Sequence, residues 1–259
     1  MAAGKGTRMK SKLPKVLHPL AGRALVHHVL GTANALGARG AVLITGHGAD
    51  AVEAACARAN GFESGLDLRF VRQQPQLGTG HAVQQAVPLL ADDGMVVVLS
   101  GDVPLTAVQT LRSLIALCAG SRLALLTLEM PDPSGYGRIV RAGPGSEAAV
   151  QRIVEQKDAS ADQLAIKEIY SGIMAVPARL LKSWLARLDN HNAQKEFYLT
   201  DIVKFAVADG VEVVAHCITD AVQVAGVNSP VQLAELERAF QQRLEIGRAS
   251  CRERVCLAV

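Results

Sequence analysis

Residues 94–105 read GMVVVLSGDVPL, and this stretch decides the fold class. Residues 95–99 are apolar without interruption, so the run lacks the alternation of a strand with one wet face. Such a run reads as a short strand covered on both faces, as in a parallel sheet packed between helices. Gly101 and Pro104 then stop it, and Asp102 is left at its carboxyl end.

The flanking sequence repeats the theme. AVLITGHG (41–48) and LRFVRQ (68–73) are further strands, and ALVHHVLGTANALGARG (24–40) places Leu25, Val29, Ala33 and Leu36 at helical spacing before two glycine stops. ADAVEAACARA (49–59) and HAVQQAVPLL (81–90) are helical. RLALLTLEM (122–130), RIV (138–140), QRIVEQ (151–156), IYSGIMAVP (169–177) and VEVVAHCI (211–218) predict strands; LLKSWLARL (180–188) and VQLAELERAFQQRL (231–244) predict helices. Alternation of strand and helix predicts an α/β fold: a Rossmann-like mixed, mostly parallel sheet with helices on both faces. Ligands of such sheets bind beyond the carboxyl ends of the strands, so the polar residues there are the ones to watch.

Composition narrows the function classes. The 259 residues are 49% hydrophobic and 20% charged, an ordinary globular balance, and the 3% aromatic content leaves the core to Ala, Val, Leu and Ile. A formal charge of +3 with no long basic run argues against nucleic acid, and no apolar stretch has membrane-spanning length. Cys56, Cys118 and Cys217 share no motif spacing and read as thiols of a reducing, cytoplasmic compartment.

Three loops carry chemistry. AAGKGTRM (2–9) combines small residues, which admit close backbone approach, with Arg8 and then Lys15, and a phosphate cradle and an ordinary basic loop both fit it. It is neither a Walker loop nor a dinucleotide fingerprint, because Gly4, Gly6 and Gly22 give neither spacing. QLGTGHA (76–82) sets Gly78 and Thr79 before a helix, where N–H groups face a ligand or where a tight turn needs glycine. Asp102, and Asn228 in AGVNSP (225–230), offer oxygen ligands to a hard cation such as Mg²⁺, or else begin turns. Glu155, in IVEQKDA (153–159), could accept from sugar hydroxyls or be a solvated charge.

Taken in order, AAGKGTRM, LPKVLHPLAG, QLGTGHA, GDVPL, GYGRI, IVEQKDA, EFYLTDI and GVN span about residues 1–228 and are collinear with one family. The chain resembles the sugar-phosphate nucleotidyltransferases, and among them the uridyltransferase halves of bacterial bifunctional N-acetylglucosamine-1-phosphate uridyltransferase/glucosamine-1-phosphate acetyltransferases. The resemblance implies the nucleotide-diphospho-sugar transferase fold. It implies attack of N-acetylglucosamine 1-phosphate on the α-phosphorus of UTP, giving UDP-N-acetylglucosamine and pyrophosphate for cell-envelope synthesis. By the same resemblance Ala2, Ala3 and Gly4 contact the nucleotide, and Arg8 and Lys15 offset phosphate charge as the catalytic pair. Gln73 and Gly78 read uracil, Thr79 holds that end, Gly101 and Asp102 lie by the ribose and phosphates, and Ser100 belongs to the same substrate-binding set. Asp102 and Asn228 hold Mg²⁺, and Gly137, Glu155 and Tyr170 face the sugar.

The pattern also has departures. Met1 stands where the family has the last residue of an apolar strand, so the first strand is expected to be missing and the sheet to gap. Tyr170, in EIYSGI (168–173), replaces an asparagine of the family, which keeps another sugar 1-phosphate open as substrate, and Ser100 replaces a tyrosine of some relatives. The acetyltransferase half and its trimerisation β-helix are expected to be absent. The divisions expected are a nucleotidyltransferase domain over 1–229, a linker helix over 230–244, and a foreign tail over 245–259 that breaks the helical pattern. An inactive nucleotide-binding fragment is the alternative outside the enzymes.

Overall fold

The computed structural model describes residues 1–58 and 66–256, with side chains described as far as Glu245. The chain begins with the small hairpin β1 (Pro19–Leu20) and β2 (Arg23–Ala24), followed by α1 (Leu25–Ala35), β3 (Gly40–Thr45), α2 (Ala49–Arg58) and β4 (Asp67–Arg72). Then come α3 (Thr79–Ala86), β5 (Met95–Val98), α4 (Val108–Cys118), β6 (Leu123–Glu129), β7 (Arg138–Arg141) and β8 (Val150–Val154). The last elements are α5 (Ala161–Leu164), β9 (Glu168–Pro177), α6 (Ala178–Leu185), α7 (Ile202–Ala208), β10 (Val213–Ile218) and α8 (Pro230–Cys256).

The expected strands and helices all form. Three helices fall where none was predicted, α4, the four-residue α5 and α7, as do the two-residue strands β1 and β2. Leu111, Leu114 and Cys118 give α4 an apolar face at helical spacing, and all three are fully buried. The signal was legible but lay in the shadow of the stronger strand before it.

The sheet is mixed, with order β10-β6-β9-β7-β8 and β5 joined to the distal end of β9. β10 runs parallel to β6, whereas β9 runs antiparallel to β5, β6 and β7. More of the sheet is antiparallel than strand–helix alternation implied, because β6 to β9 follow one another with only the four-residue α5 among them. In β9 the side chains alternate between two cores: Met174 and Val176 pack with α6 and α7 residues, Ile173 and Ala175 with those of α4. Both faces are covered, which is why the second half of this strand, residues 173–177, is apolar without interruption.

β3 and β4 form a separate parallel pair packed on α1 and α2 through Leu43, Val26, Leu30 and Val52. Among the described residues, residues 1–3 run between this pair and the end of β5. The Ala2 N–H donates to Ile44 O (2.8 Å), Ala2 bridges Thr45 in parallel, and the Gly101 N–H donates to Met1 O (2.8 Å). The expected gap is therefore present among the described residues, closed at one end by residues 1–3. At the other terminus α8 stays helical to Cys256, correcting the expected break near Glu245; the side chains of Cys251 and Cys256 lie outside the described residues.

Candidate functional site

The predicted residues assemble into three groups at the strand ends. The first is built on Lys15, in a single 3-10 turn, Lys15–Leu17. Its ammonium donates to Asp102 Oδ2 at 2.5 Å and to Asn228 Oδ1 at 3.0 Å. Asp102 follows β5, and its backbone carbonyl accepts from the Val227 N–H at 2.9 Å, which fixes Asn228 alongside. Residues 87 and 213 positions away in sequence from Lys15 thus share one cation. The side chains of Lys15 and Asp102 are only 13% and 19% exposed, so the pair is screened less by solvent and salt than a surface ion pair.

Ala2 and Ala3 are buried, and the Ala2 N–H and the Ala3 carbonyl have partners within the protein. The Ala3 carbonyl accepts from the His47 N–H at 3.2 Å and from the Gln76 amide. Gly4 opens outward: a Cβ there would meet nothing within 4 Å. Arg8 is exposed in the 3-10 turn Thr7–Met9 and makes no hydrogen bond with Lys15, Asp102 or Asn228 among the described residues. Ser100 lies toward Gly172 of β9, at whose position an added Cβ would stand 3.7 Å from the hydroxyl.

The second group is Gln73, Gly78 and Thr79. Gln73 is buried and its amide donates to Gly78 O at 2.8 Å, which ties the end of β4 to the start of α3. Gly78 has φ +110°, and a Cβ there would stand 2.6 Å from Phe197 O, so the turn needs glycine for conformation and space. The Thr79 hydroxyl accepts from the Leu199 N–H at 3.0 Å. Within the protein, then, these residues do the structural work of the tight-turn alternative.

The third group is Gly137, Glu155 and Tyr170. A Cβ on Gly137 would come within 2.8 Å of the Ile153 side chain and 3.7 Å of Glu155 Oε1, so only glycine leaves this approach open. Burial pushes the Glu155 carboxyl above its ordinary range, although the Thr200 hydroxyl donates to Oε1 at 2.9 Å. Tyr170 is buried with its hydroxyl unpartnered, and burial, reinforced by the Glu155 charge, holds it well above the usual phenol value. A buried hydroxyl without a partner, within the electrostatic reach of the Glu155 carboxyl, is unusual in a packed interior.

Thr200 was missed at the level of single residues. It belongs to the segment EFYLTDI (196–202), which stitches the second group to the third: the Gly80 N–H donates to Phe197 O at 2.7 Å, Leu199 holds Thr79, and Thr200 holds Glu155. Nothing in its spacing announces that role.

Comparison with known proteins bears on this layout. A family model, the MobA-like NTP transferase domain, matches residues 1–155. The chain belongs to the MobA-like NTP transferases. The family match takes in Lys15, Asp102, Gly137 and Glu155, while Tyr170, Thr200 and Asn228 lie beyond it. Among similar curated proteins are the bifunctional protein GlmU of Polaromonas naphthalenivorans (73% identical over 244 residues, 94% of this chain and 52% of that protein) and that of Albidiferax ferrireducens (70% over 246 residues, 95% and 52%). The chain spans about half the length of the curated relatives it matches. A UDP-glucose pyrophosphorylase solved with UDP-glucose is 18% identical and superposes with a TM-score of 0.74, covering 93% of this chain and 97% of that one, which shows the fold. The MobA-like assignment makes the chain a nucleotidyltransferase domain of the nucleotide-diphospho-sugar transferase fold. No helix among the described residues is long and apolar enough to cross a membrane.

Proposed function

We propose that this domain transfers the uridylyl group of UTP to N-acetylglucosamine 1-phosphate, with Mg²⁺, giving UDP-N-acetylglucosamine and pyrophosphate. The observation that carries this reading is the Lys15 ammonium seated on Asp102 and Asn228 at the carboxyl end of β5, beside the open basic loop from Gly4 to Arg8. A carboxylate and an amide oxygen suit a hard cation, and the ammonium already occupying them shows that these oxygens accept positive charge. Asp102 and Asn228 supply two oxygens, so they would hold the metal together with oxygens of the ligand.

Bound there, Mg²⁺ would offset triphosphate charge. The chain supplies alignment and further cations: Arg8 and Lys15 face the phosphates, and the turn around Gln73, Gly78 and Thr79 receives the base. Gly137, Glu155 and Tyr170 orient the sugar. A sugar phosphate is nucleophilic at neutral pH without a strong base, so aligning two polyanions and screening their repulsion supplies most of the catalysis. A cytoplasmic setting and a role in cell-envelope precursor supply go with this reading.

A second reading, transfer to another sugar 1-phosphate, is favoured by Tyr170, which is buried and within the electrostatic reach of Glu155 on the proposed sugar side. Pyrophosphate release by the purified chain separates the two. UTP with N-acetylglucosamine 1-phosphate and Mg²⁺ is expected to give release, with other nucleoside triphosphates and metal-free buffer giving little. Release with a different sugar phosphate moves the substrate, and silence from a chain that melts cooperatively overturns the enzyme reading.

A further inference from the structure

The Lys15 contact has a consequence for how the cation site is kept before substrate arrives. Lys15 Nζ lies 2.5 Å from Asp102 Oδ2 and 3.0 Å from Asn228 Oδ1, the two oxygens that suit a hard cation. A divalent ion of magnesium's size needs such oxygens at roughly 2.0–2.1 Å. An ammonium and a divalent ion cannot both approach the same two oxygens at these distances, because the two cations would then repel across a partly buried gap. The geometry points to Lys15 as the resident cation of the metal site: its ammonium and a divalent cation exclude each other at Asp102 and Asn228. This rests on the nucleotidyltransferase reading for the identity of the metal, though the exclusion is a property of the free protein.

The local build supports an exchange rather than a permanent ion pair. Asp102 and Asn228 are held from the backbone, through Val227 N–H to Asp102 O and Asn228 N–H to the Gln232 side chain at 2.9 Å. The lysine is the movable partner, a flexible four-carbon stem carrying a compact charge. Its stem packs beside Gly6, where an added Cβ would stand 2.8 Å from Lys15 Cβ and 3.6 Å from Cγ and Cδ, so the lysine side chain borders the loop that carries Gly4, Lys5 and Arg8. That loop is exposed and is where triphosphate is proposed to lie. Triphosphate oxygens would draw the ammonium off Asp102 as a divalent cation enters, so Lys15 moves from placeholder to phosphate ligand. Without nucleotide the site is closed to metal for most of the time, and apparent metal affinity falls by the fraction of molecules with Lys15 displaced.

The test is Mn²⁺ binding in the absence of any nucleotide, read from the electron paramagnetic resonance signal of free Mn²⁺. Wild type and Lys15→Arg, which keeps the charge, are expected to bind weakly. Lys15→Met keeps the stem, removes the charge, and is expected to bind one Mn²⁺ about tenfold or more tightly. Adding Asp102→Asn to Lys15→Met is expected to abolish that gain. Equal affinity in wild type and Lys15→Met overturns the inference, as does a gain that survives Asp102→Asn. A measurement on the wild-type chain stands beside it in case the variant does not fold: acetylation of Lys15, followed by mass spectrometry, is expected to rise several-fold on saturation with Mn²⁺. Unchanged labelling also overturns the inference. Both readouts omit UTP and sugar phosphate, so failure of the pyrophosphate assay with the exchange intact removes the reaction and leaves the placeholder standing.

Discussion

The two sides of β5 are held in different ways. On one side β9 pairs with it residue for residue from Met95 to Val98, and continues into β6, β7 and β8. On the other side β3 and β4 form a pair of their own, tied to the rest through the bridge at Ala2, the Met1–Gly101 hydrogen bond and side-chain packing. The proposed sugar side is thus carried by a continuous ladder, and the proposed nucleotide side by a seam. Ladder bonds spread a local disturbance over many neighbours, whereas a seam concentrates it on a few residues. Lys15, Asp102 and Asn228 sit at that seam.

The comparison is broken most directly through stability. Met174→Ala, at a fully buried position where β9 meets both β5 and β6, is expected to cost about 2–5 kcal/mol in denaturant unfolding. Leu43→Ala, in the smaller cluster of the β3–β4 side, is expected to cost less, and an equal cost would erase the distinction. Turnover tests the seam as a site. Asp102→Ala or Lys15→Ala is expected to lower pyrophosphate release by about a hundredfold or more, the scale of losing one preorganised electrostatic contact. Near-normal turnover would remove that residue from the mechanism.

Hydrogen exchange sharpens the same contrast. Amides of β3 are expected to exchange at least about tenfold faster than those of β9, because the seam can open without disturbing the ladder. Tyr170→Phe is expected to raise the KM for sugar phosphate several-fold while leaving the free protein as stable as before or slightly more so, since it deletes a buried hydroxyl with no partner. An unchanged KM would mean that the hydroxyl does not meet the sugar.

The smallest effect is in pH. Burial raises the Glu155 carboxyl in the folded state, so the folded chain binds that proton more readily than the unfolded chain does. Its stabilising contribution is complete below the ordinary glutamate range, near about pH 4.3, and is lost as pH rises through the raised folded value. Glu155→Gln removes that slope, so its melting temperature relative to wild type is expected to improve as pH is raised from about 4 to 8. A constant difference across that range would show that Glu155 ionises as freely folded as unfolded.

Much of the fold was legible because its cause is local. The unbroken apolar run of residues 95–99 and the alternating textures around it depend only on which side chains must leave water. α4 was equally legible at Leu111, Leu114 and Cys118 and was passed over. The direction of β9 was not, because antiparallel pairing with three strands follows from how segments of ordinary composition return to one sheet. The loops around Lys15, Asp102 and Asn228 stood out for their residue types, yet each alone was as compatible with a turn.

The sequence by itself determined most strands and most helices, the covered sheet, the basic first loop and the collinear motifs, since each is written within a few neighbouring residues. Only the tertiary structure decided that Lys15 rests on Asp102 and Asn228, that Thr200 reaches Glu155, and that the Tyr170 hydroxyl is buried without a partner. Those are contacts between residues tens to hundreds of positions apart. Their distances are set by the packing of the whole sheet, which no single stretch of the chain encodes.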